Sequence, residues 1–213
     1  MLIAHRGYSS KFKDNSLDAF KNALSIGFDM IELDVNVCKS GELVIYHDTI
    51  IEDQNIQDCS LEELNKHDII TLDTYFSWND NRISSYLDVK GNKRVMYSLI
   101  QYLQNNTVID LSKVYIGSFD FEQISILIES KLPVKKGIIT SNKPSKYEIS
   151  MVNKSIEFIS FNWEYYDNEL YYELNKKYIF VFLYTCHNNN ENRYIHNNNI
   201  KYDGLVSNIF IRK

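Results

Sequence analysis

The chain is poor in the residues that build special architectures. Its three cysteines, Cys38, Cys59 and Cys186, are odd in number and lack a C-x-x-C pair, which excludes a disulfide framework and a cysteine zinc or redox site and predicts free thiols. Proline occurs twice and glycine seven times in 213 residues. No Pro- or Ser-rich linker divides the chain, and one domain over residues 1–213 is expected. Long hydrophobic runs are missing too. Nothing approaches the roughly 20 apolar residues of a membrane span, and Met1 to Gly7 is too poorly apolar for a signal peptide, so a soluble, cytoplasmic protein with no integral membrane segment is expected. Basic residues are in deficit, with 23 Lys and Arg against 28 Asp and Glu. Such a chain has no broad basic face with which to displace counterions from a polyanion, and a nucleic-acid partner is not expected.

What the chain does have is an alternation of short apolar runs with amphipathic stretches, the pattern of successive βα units. Strands are predicted at Leu2–Ala4, Met30–Val35, Leu43–Tyr46, Ser85–Val89, Val114–Ser118, Lys136–Thr140, Phe158–Phe161, Ile179–Tyr184 and Gly204–Val206. Helices are predicted at Leu61–Lys66, Val95–Asn105, Glu122–Lys131, Ser145–Asn153 and Asp167–Lys177. The clearest helix follows Asn15 or Ser16 as cap, carries an apolar stripe of Leu17, Phe20, Ala23, Leu24 and Ile26, and stops at Gly27. Only four residues separate the second strand from the third, so those two are expected to be joined without a helix, and one of the nine strands is an accessory strand or a short terminal piece. The Asn-rich tract from His187 to Asn199 reads as a loop or a poorly formed helix. The expected fold is α/β, a (β/α)8 barrel, a size at which such barrels are routinely one domain.

Three features fall near predicted strand ends, where barrel sites are assembled. His5-Arg6-Gly7 follows the first strand, Ile31-Glu32-Leu33-Asp34-Val35 alternates acidic and apolar residues, and Tyr46-His47-Asp48 ends the third. Residues two apart in a strand share a face, so Glu32 and Asp34 project together into the barrel or its mouth. Paired buried carboxylates repel unless one is protonated or a cation lies between them. Hard oxygen donors favour Mg²⁺ or Ca²⁺. Ser85-Tyr86-Leu87-Asp88-Val89-Lys90 repeats the alternation, so Asp88 would complete a three-carboxylate site and Lys90, near Arg6, would face an anionic oxygen. His67, His187 and His196 have no evident partner and are expected at the surface.

H-R-G, D-N-S-L-D-A-F, I-E-L-D-V, K-S-G-E-L-V-I-Y-H-D and L-D-V-K, in that order, resemble the ordered motifs of the glycerophosphodiester phosphodiesterase family. The likeness is densest over residues 3 to 50; Ile116-Gly117-Ser118-Phe119-Asp120 and the region Phe182 to Asn208 extend it. It implies a (β/α)8 barrel with one divalent cation that hydrolyses a small glycerophosphodiester to sn-glycerol 3-phosphate and an alcohol. By position it implies His5 and His47 as the acid–base pair, Arg6 and Lys90 on phosphate, and Glu32, Asp34 and Asp88 on the metal. Ser118, Phe119 and Tyr184 would be pocket walls or barrel packing.

Four departures from the family pattern stand out. Asp88 replaces the usual Glu, Tyr184 before Thr185 replaces Trp, Ser207-Asn208 replaces Thr-Asp, and the segment from His47 to Asp88 is short, leaving room only for a small cap. An open mouth keeps a lysophospholipase D or sphingomyelinase D-like activity as an alternative, and the departures keep a non-catalytic phosphate- or polyol-binding barrel as another.

Overall fold

The computed structural model describes residues 1–145 and 154–211. Its elements in chain order are β1 (Leu2–Ala4), α1 (Leu17–Ile26), β2 (Met30–Val37), β3 (Leu43–Ile45), β4 (Ile50–Ile51), β5 (Gln54–Asn55), α2 (Leu61–Asn65), α3 (Leu72–Asn79) and β6 (Ser84–Val89). They continue with α4 (Lys93–Asn105), β7 (Val114–Ser118), α5 (Phe121–Glu129), β8 (Lys135–Thr140), β9 (Phe158–Asn162), α6 (Asn168–Asn175), β10 (Phe180–Cys186), α7 (Asn189–Asn197) and β11 (Gly204–Ser207). Strands β1, β2 and β6 to β11 pair in parallel in chain order, and β1 pairs with both β11 and β2, so the sheet closes into an eight-stranded barrel. The accessory strand is β3, antiparallel to β2 with Val35 opposite Ile45.

Strand β2 shows why this sequence closes a barrel. All eight of its residues are buried, and the period of two divides them between two environments. Ile31, Leu33, Val35 and Val37 pack in the layer beneath the helices, while Met30 joins the barrel interior. That interior is filled by Ile3, Met30, Tyr86, Ile139, Phe158, Phe182 and Val206. Phe158 and Phe182 stack with centroids 4.9 Å apart, and Tyr86 meets Phe158 edge-on at 5.2 Å. The filled interior forms a floor, so a ligand can enter only at one end.

Local chemistry sets the element ends. Ser16 caps α1 by accepting from the Ala19 N–H, and Gly27, at φ 102°, closes it in the left-handed region. Ser60 and Glu63 form a reciprocal capping box on α2. Between β3 and α3 lies a small insertion of the β4–β5 hairpin, a turn of 3₁₀ helix and α2. It is built around its own apolar cluster of Cys38, Val44, Ile51, Ile56, Cys59, Leu64 and Ile69. All three cysteines are buried free thiols.

The sequence pattern missed α3, although Leu72, Tyr75 and Phe76 fall at helical spacing behind the cap Thr71; aromatic content hid the period. The Asn-rich tract forms the regular helix α7, capped by the Asn188 side chain and anchored by a single buried residue, Ile195. Apart from Ser145, the helix expected over Ser145–Asn153 lies outside the described residues. No helix among the described residues is long and apolar enough to cross a membrane.

The floor tolerates no added volume beside Phe158. A Cβ on Gly137 would lie 2.2 Å from that ring, and the ring is wedged between Phe182 and Tyr86. Gly137→Ala is expected to cost about 1–3 kcal/mol, the usual range for overpacking a core, read as a lower urea midpoint at unchanged slope. An unchanged midpoint would mean that the floor is loosely packed.

Candidate active site

The backbone of β1, β2, β3 and β6 brings the charged residues together. The register places Asp34 directly beside Asp88 on the neighbouring strand. The Tyr46 N–H donates to the Asp34 carbonyl (3.1 Å), and the Lys90 N–H donates to the Val35 carbonyl (2.9 Å). These bonds hold the residues after β3 and β6 against the end of β2. After β1 the chain turns sharply, with Arg6 at φ 55° and Gly7 at φ 80°. The strained Arg6 conformation points its N–H at Glu32 Oε2, 2.8 Å away.

One oxygen from each of Glu32, Asp34 and Asp88 lies within 4.8 Å of the others, and all three carboxylates are buried. Two cations sit among them. Lys90 Nζ is 2.5 Å from Asp88 Oδ2 and 3.1 Å from Asp34 Oδ1, and Arg6 Nε is 3.0 Å from Asp34 Oδ2. Asn15 is not the cap of α1; its amide donates to Asp34 Oδ2 at 2.8 Å. Two positive charges do not offset three negative ones, and the titration behaviour shows it. Burial and then the charges of Asp34 and Asp88 push Glu32 well above the ordinary carboxylate range. Burial, outweighing the help of Lys90, pushes Asp88 up to about 6. At Asp34 burial acts upward, but Lys90 and Arg6 outweigh it and hold the group below its ordinary value.

Asp88 Oδ1 is buried and has no hydrogen-bond partner among the described residues. An orphaned carboxylate oxygen inside an over-negative cluster of hard donors fits a bound divalent cation, and Glu32, Asp34 and Asp88 are the residues that could hold it. The shorter Asp88 side chain still reaches the cluster.

Both imidazoles face the same cavity of about 230 Å³, which Arg6, Glu32, Asp34, Asp88 and Lys90 also line. His5 Nδ1 is 2.6 Å from Asn208 Oδ1. Burial, reinforced by the Arg6 charge, lowers its pKa to about 4, so His5 is neutral at pH 7. His47 is more open, with Nδ1 2.7 Å from Asp48 Oδ1. Phe119 and Tyr184 line the cavity with their rings edge-on at 6.3 Å. Lys90 Nζ lies 5.6 Å from the Phe119 centroid.

The structure decides between the two readings of Ser118 and adds a partner to His187. Ser118 does not line the cavity: it is buried, with Oγ 3.1 Å from the Val89 carbonyl and 3.0 Å from Gln123 Oε1, so it serves barrel packing. His187, expected as a bystander, is exposed but lines the cavity, and its Nδ1 is 3.1 Å from Asn208 Nδ2. Its position between Tyr184-Thr185 and the last helix cap was the available signal. His67, near Glu52 at 3.7 Å, and His196 on α7 lie outside the cavity lining.

With this geometry established, the profile of the glycerophosphoryl diester phosphodiesterase family matches residues 5–208. The chain belongs to this family. Among curated family relatives, a glycerophosphodiester phosphodiesterase of Caldanaerobacter subterraneus subsp. tengcongensis is 41% identical over 73 residues, 32% of this chain and 30% of that protein. The alignments with two such relatives span 30% and 45% of those proteins' own length. Solved structures extend the likeness over the whole fold. The Thermotoga maritima glycerophosphodiester phosphodiesterase aligns with a TM-score of 0.80 at 23% identity, over 97% of this chain and 93% of its own. An Oleispira antarctica phosphodiesterase, solved with the product sn-glycerol-3-phosphate, aligns with a TM-score of 0.85 at 19% identity, over 98% and 92%. At these identities the structures confirm the barrel fold.

A cation response follows from the carboxylates. Because the pKa values of Glu32 and Asp88 are raised, their contribution to folding is full below the ordinary carboxylate value and is lost for Asp88 as pH rises through about 6. A cation that replaces the proton restores it. Mg²⁺ or Ca²⁺ is therefore expected to raise the melting temperature more at pH 7.5 than at pH 5, and Asp88→Asn to reduce the gain. An equal gain at both pH values, or one unaffected by Asp88→Asn, would contradict the site.

Proposed function

We propose that this protein is a cation-dependent phosphodiesterase that converts glycerophosphodiesters to sn-glycerol 3-phosphate and an alcohol. The observation that carries this reading is the convergence of two histidines, three buried carboxylates and two side-chain cations in one cavity at one end of a closed barrel. The product bound by the Oleispira phosphodiesterase is of the class such a cavity would take.

A phosphodiester resists attack because its own charge repels nucleophiles and its alkoxide leaves poorly. A Mg²⁺ or Ca²⁺ ion held by Glu32, Asp34 and Asp88 would supply positive charge at the phosphate when bound. Arg6 and Lys90 add two cations on the cavity wall, placed to neutralise non-bridging oxygens as negative charge develops. The packed floor beneath them excludes water from below.

Proton transfer falls to the histidines. Asn208 Oδ1 can only accept, so His5 carries its proton on Nδ1 and keeps the Nε2 lone pair free. A neutral ring with a free lone pair suits the general base that takes the proton of the nucleophile, which is either water or the glycerol hydroxyl next to the phosphate, the second route passing through a cyclic phosphate that water then opens. His47 is left to protonate the departing alkoxide, its ring held by the contact of Nδ1 with Asp48 Oδ1.

His5→Ala and His47→Ala are each expected to lower kcat on glycerophosphocholine by about 10²- to 10⁴-fold, the usual contribution of general acid–base catalysis, with circular dichroism unchanged. EDTA is expected to stop turnover, and added Mg²⁺ or Ca²⁺ to restore it. Wild-type rates in both variants, or indifference to EDTA, would defeat the assignment. Preference for lysophosphatidylcholine would instead favour the lipid-headgroup activity, and cation binding without turnover of any diester a binding role.

A further inference from the structure

Within the reading of His5 as base, a third histidine in the cavity has a role that the His5–His47 pair does not include. Asn208 stands between His5 and His187. Its Oδ1 lies 2.6 Å from His5 Nδ1 and 3.2 Å from Ser9 Oγ, and its Nδ2 lies 3.1 Å from His187 Nδ1. The backbones of all three residues are fixed. His5 N–H donates to the Ser207 carbonyl (3.0 Å), and Asn208 N–H to the Cys186 carbonyl (2.9 Å). His187 N–H donates to Glu191 Oε2 (2.6 Å) in the first turn of α7. What remains free to change is the direction of the amide.

An amide has one accepting end and one donating end. With Oδ1 toward His5, His5 must be protonated on Nδ1 and His187 must be bare there. If the amide turned over, His5 would have to accept on Nδ1 and carry its proton on Nε2, facing the cavity and useless as a base. The two imidazoles are thereby forced into opposite tautomers. Ser9 does not enter this coupling, because its hydroxyl turns to donate or accept whichever way the amide lies, whereas an imidazole must move its proton to the other nitrogen. An aspartate at position 208 would need no such partner, since both of its oxygens accept; an asparagine does.

We propose that His187 is a positioning residue: by accepting from the Asn208 amide on Nδ1 it ties the tautomer of His5 to its own, so that while its proton sits on Nε2 the His5 Nε2 lone pair stays available to the substrate. The same bond leaves the His187 proton on Nε2.

The test separates this role from catalysis by His5 itself. In uniformly ¹⁵N-labelled protein at pH 7.5 the ring-nitrogen shifts report each tautomer directly, and five histidines are few enough to assign by single substitution. Wild type is expected to show His5 protonated on Nδ1 and His187 on Nε2. His187→Ala should give His5 a mixture of tautomers and lower kcat about fivefold to tenfold with KM within about twofold, the pattern of a lost transition-state interaction. His187→Asn, whose amide oxygen can take the place of Nδ1, should restore both. Asn208→Asp should keep His5 protonated on Nδ1 even when His187 is Ala. An unchanged His5 tautomer in His187→Ala would overturn the inference, as would a loss of activity that Asn fails to restore. Full activity of His5→Ala would instead remove the catalytic reading while leaving the tautomer result to stand.

Discussion

Like-charge repulsion at the end of β2 and β6 is the constraint around which the molecule is organised. The parallel register sets Asp34 beside Asp88, and the period of two sets Glu32 on the same side as Asp34. Burial then makes three carboxylates costly to ionise together. Arg6 and Lys90 reduce that cost without removing it, as the raised pKa values of Glu32 and Asp88 show. The remainder is a cluster that a bound cation would stabilise. On the proposed reading such a cluster stands where the phosphate would arrive, so the costliest charges in the barrel coincide with the proposed site.

Everything nearby serves to hold those charges in place. Barrel closure through β1 and β11 brings the His5-Arg6-Gly7 turn within hydrogen-bond reach of Glu32 on one side and of Asn208 on the other. The antiparallel β3 hands His47 to the same mouth through the bond from Tyr46 to Asp34. Below, the Phe158–Phe182 stack closes the barrel. Each group is oriented by backbone hydrogen bonds of the sheet, which need little rearrangement when a substrate binds.

Much of this was legible in the sequence because period and position carry it. The alternation Ile31-Glu32-Leu33-Asp34-Val35 gave both the strand and the shared face of its carboxylates, and the structure places these residues as the period requires. Closure of eight strands, with a ninth accessory, followed from the order of apolar runs. The missing parts depend on contacts between distant segments. Asn15 meets Asp34 across 19 residues and Asn208 meets His5 across 203; nothing local to either asparagine marks it as a partner. Ser118 follows the same alternation as a cavity residue, yet Gln123 and Val89 claim its hydroxyl. The loss of charge at Asn208 was visible, but its consequence for His187 appears only when the barrel brings the two residues together.

At the heart of the proposed site is a single cation, bounded by three carboxylates between two imidazoles. Crystals soaked in Mn²⁺ and measured at the manganese edge test it most directly. The account predicts one strong anomalous peak among Glu32, Asp34 and Asp88, displacing Lys90 Nζ from Asp88 and facing the cavity shared by His5 and His47. A peak elsewhere on the barrel, or none at saturating ion with Lys90 still seated between Asp34 and Asp88, would contradict it.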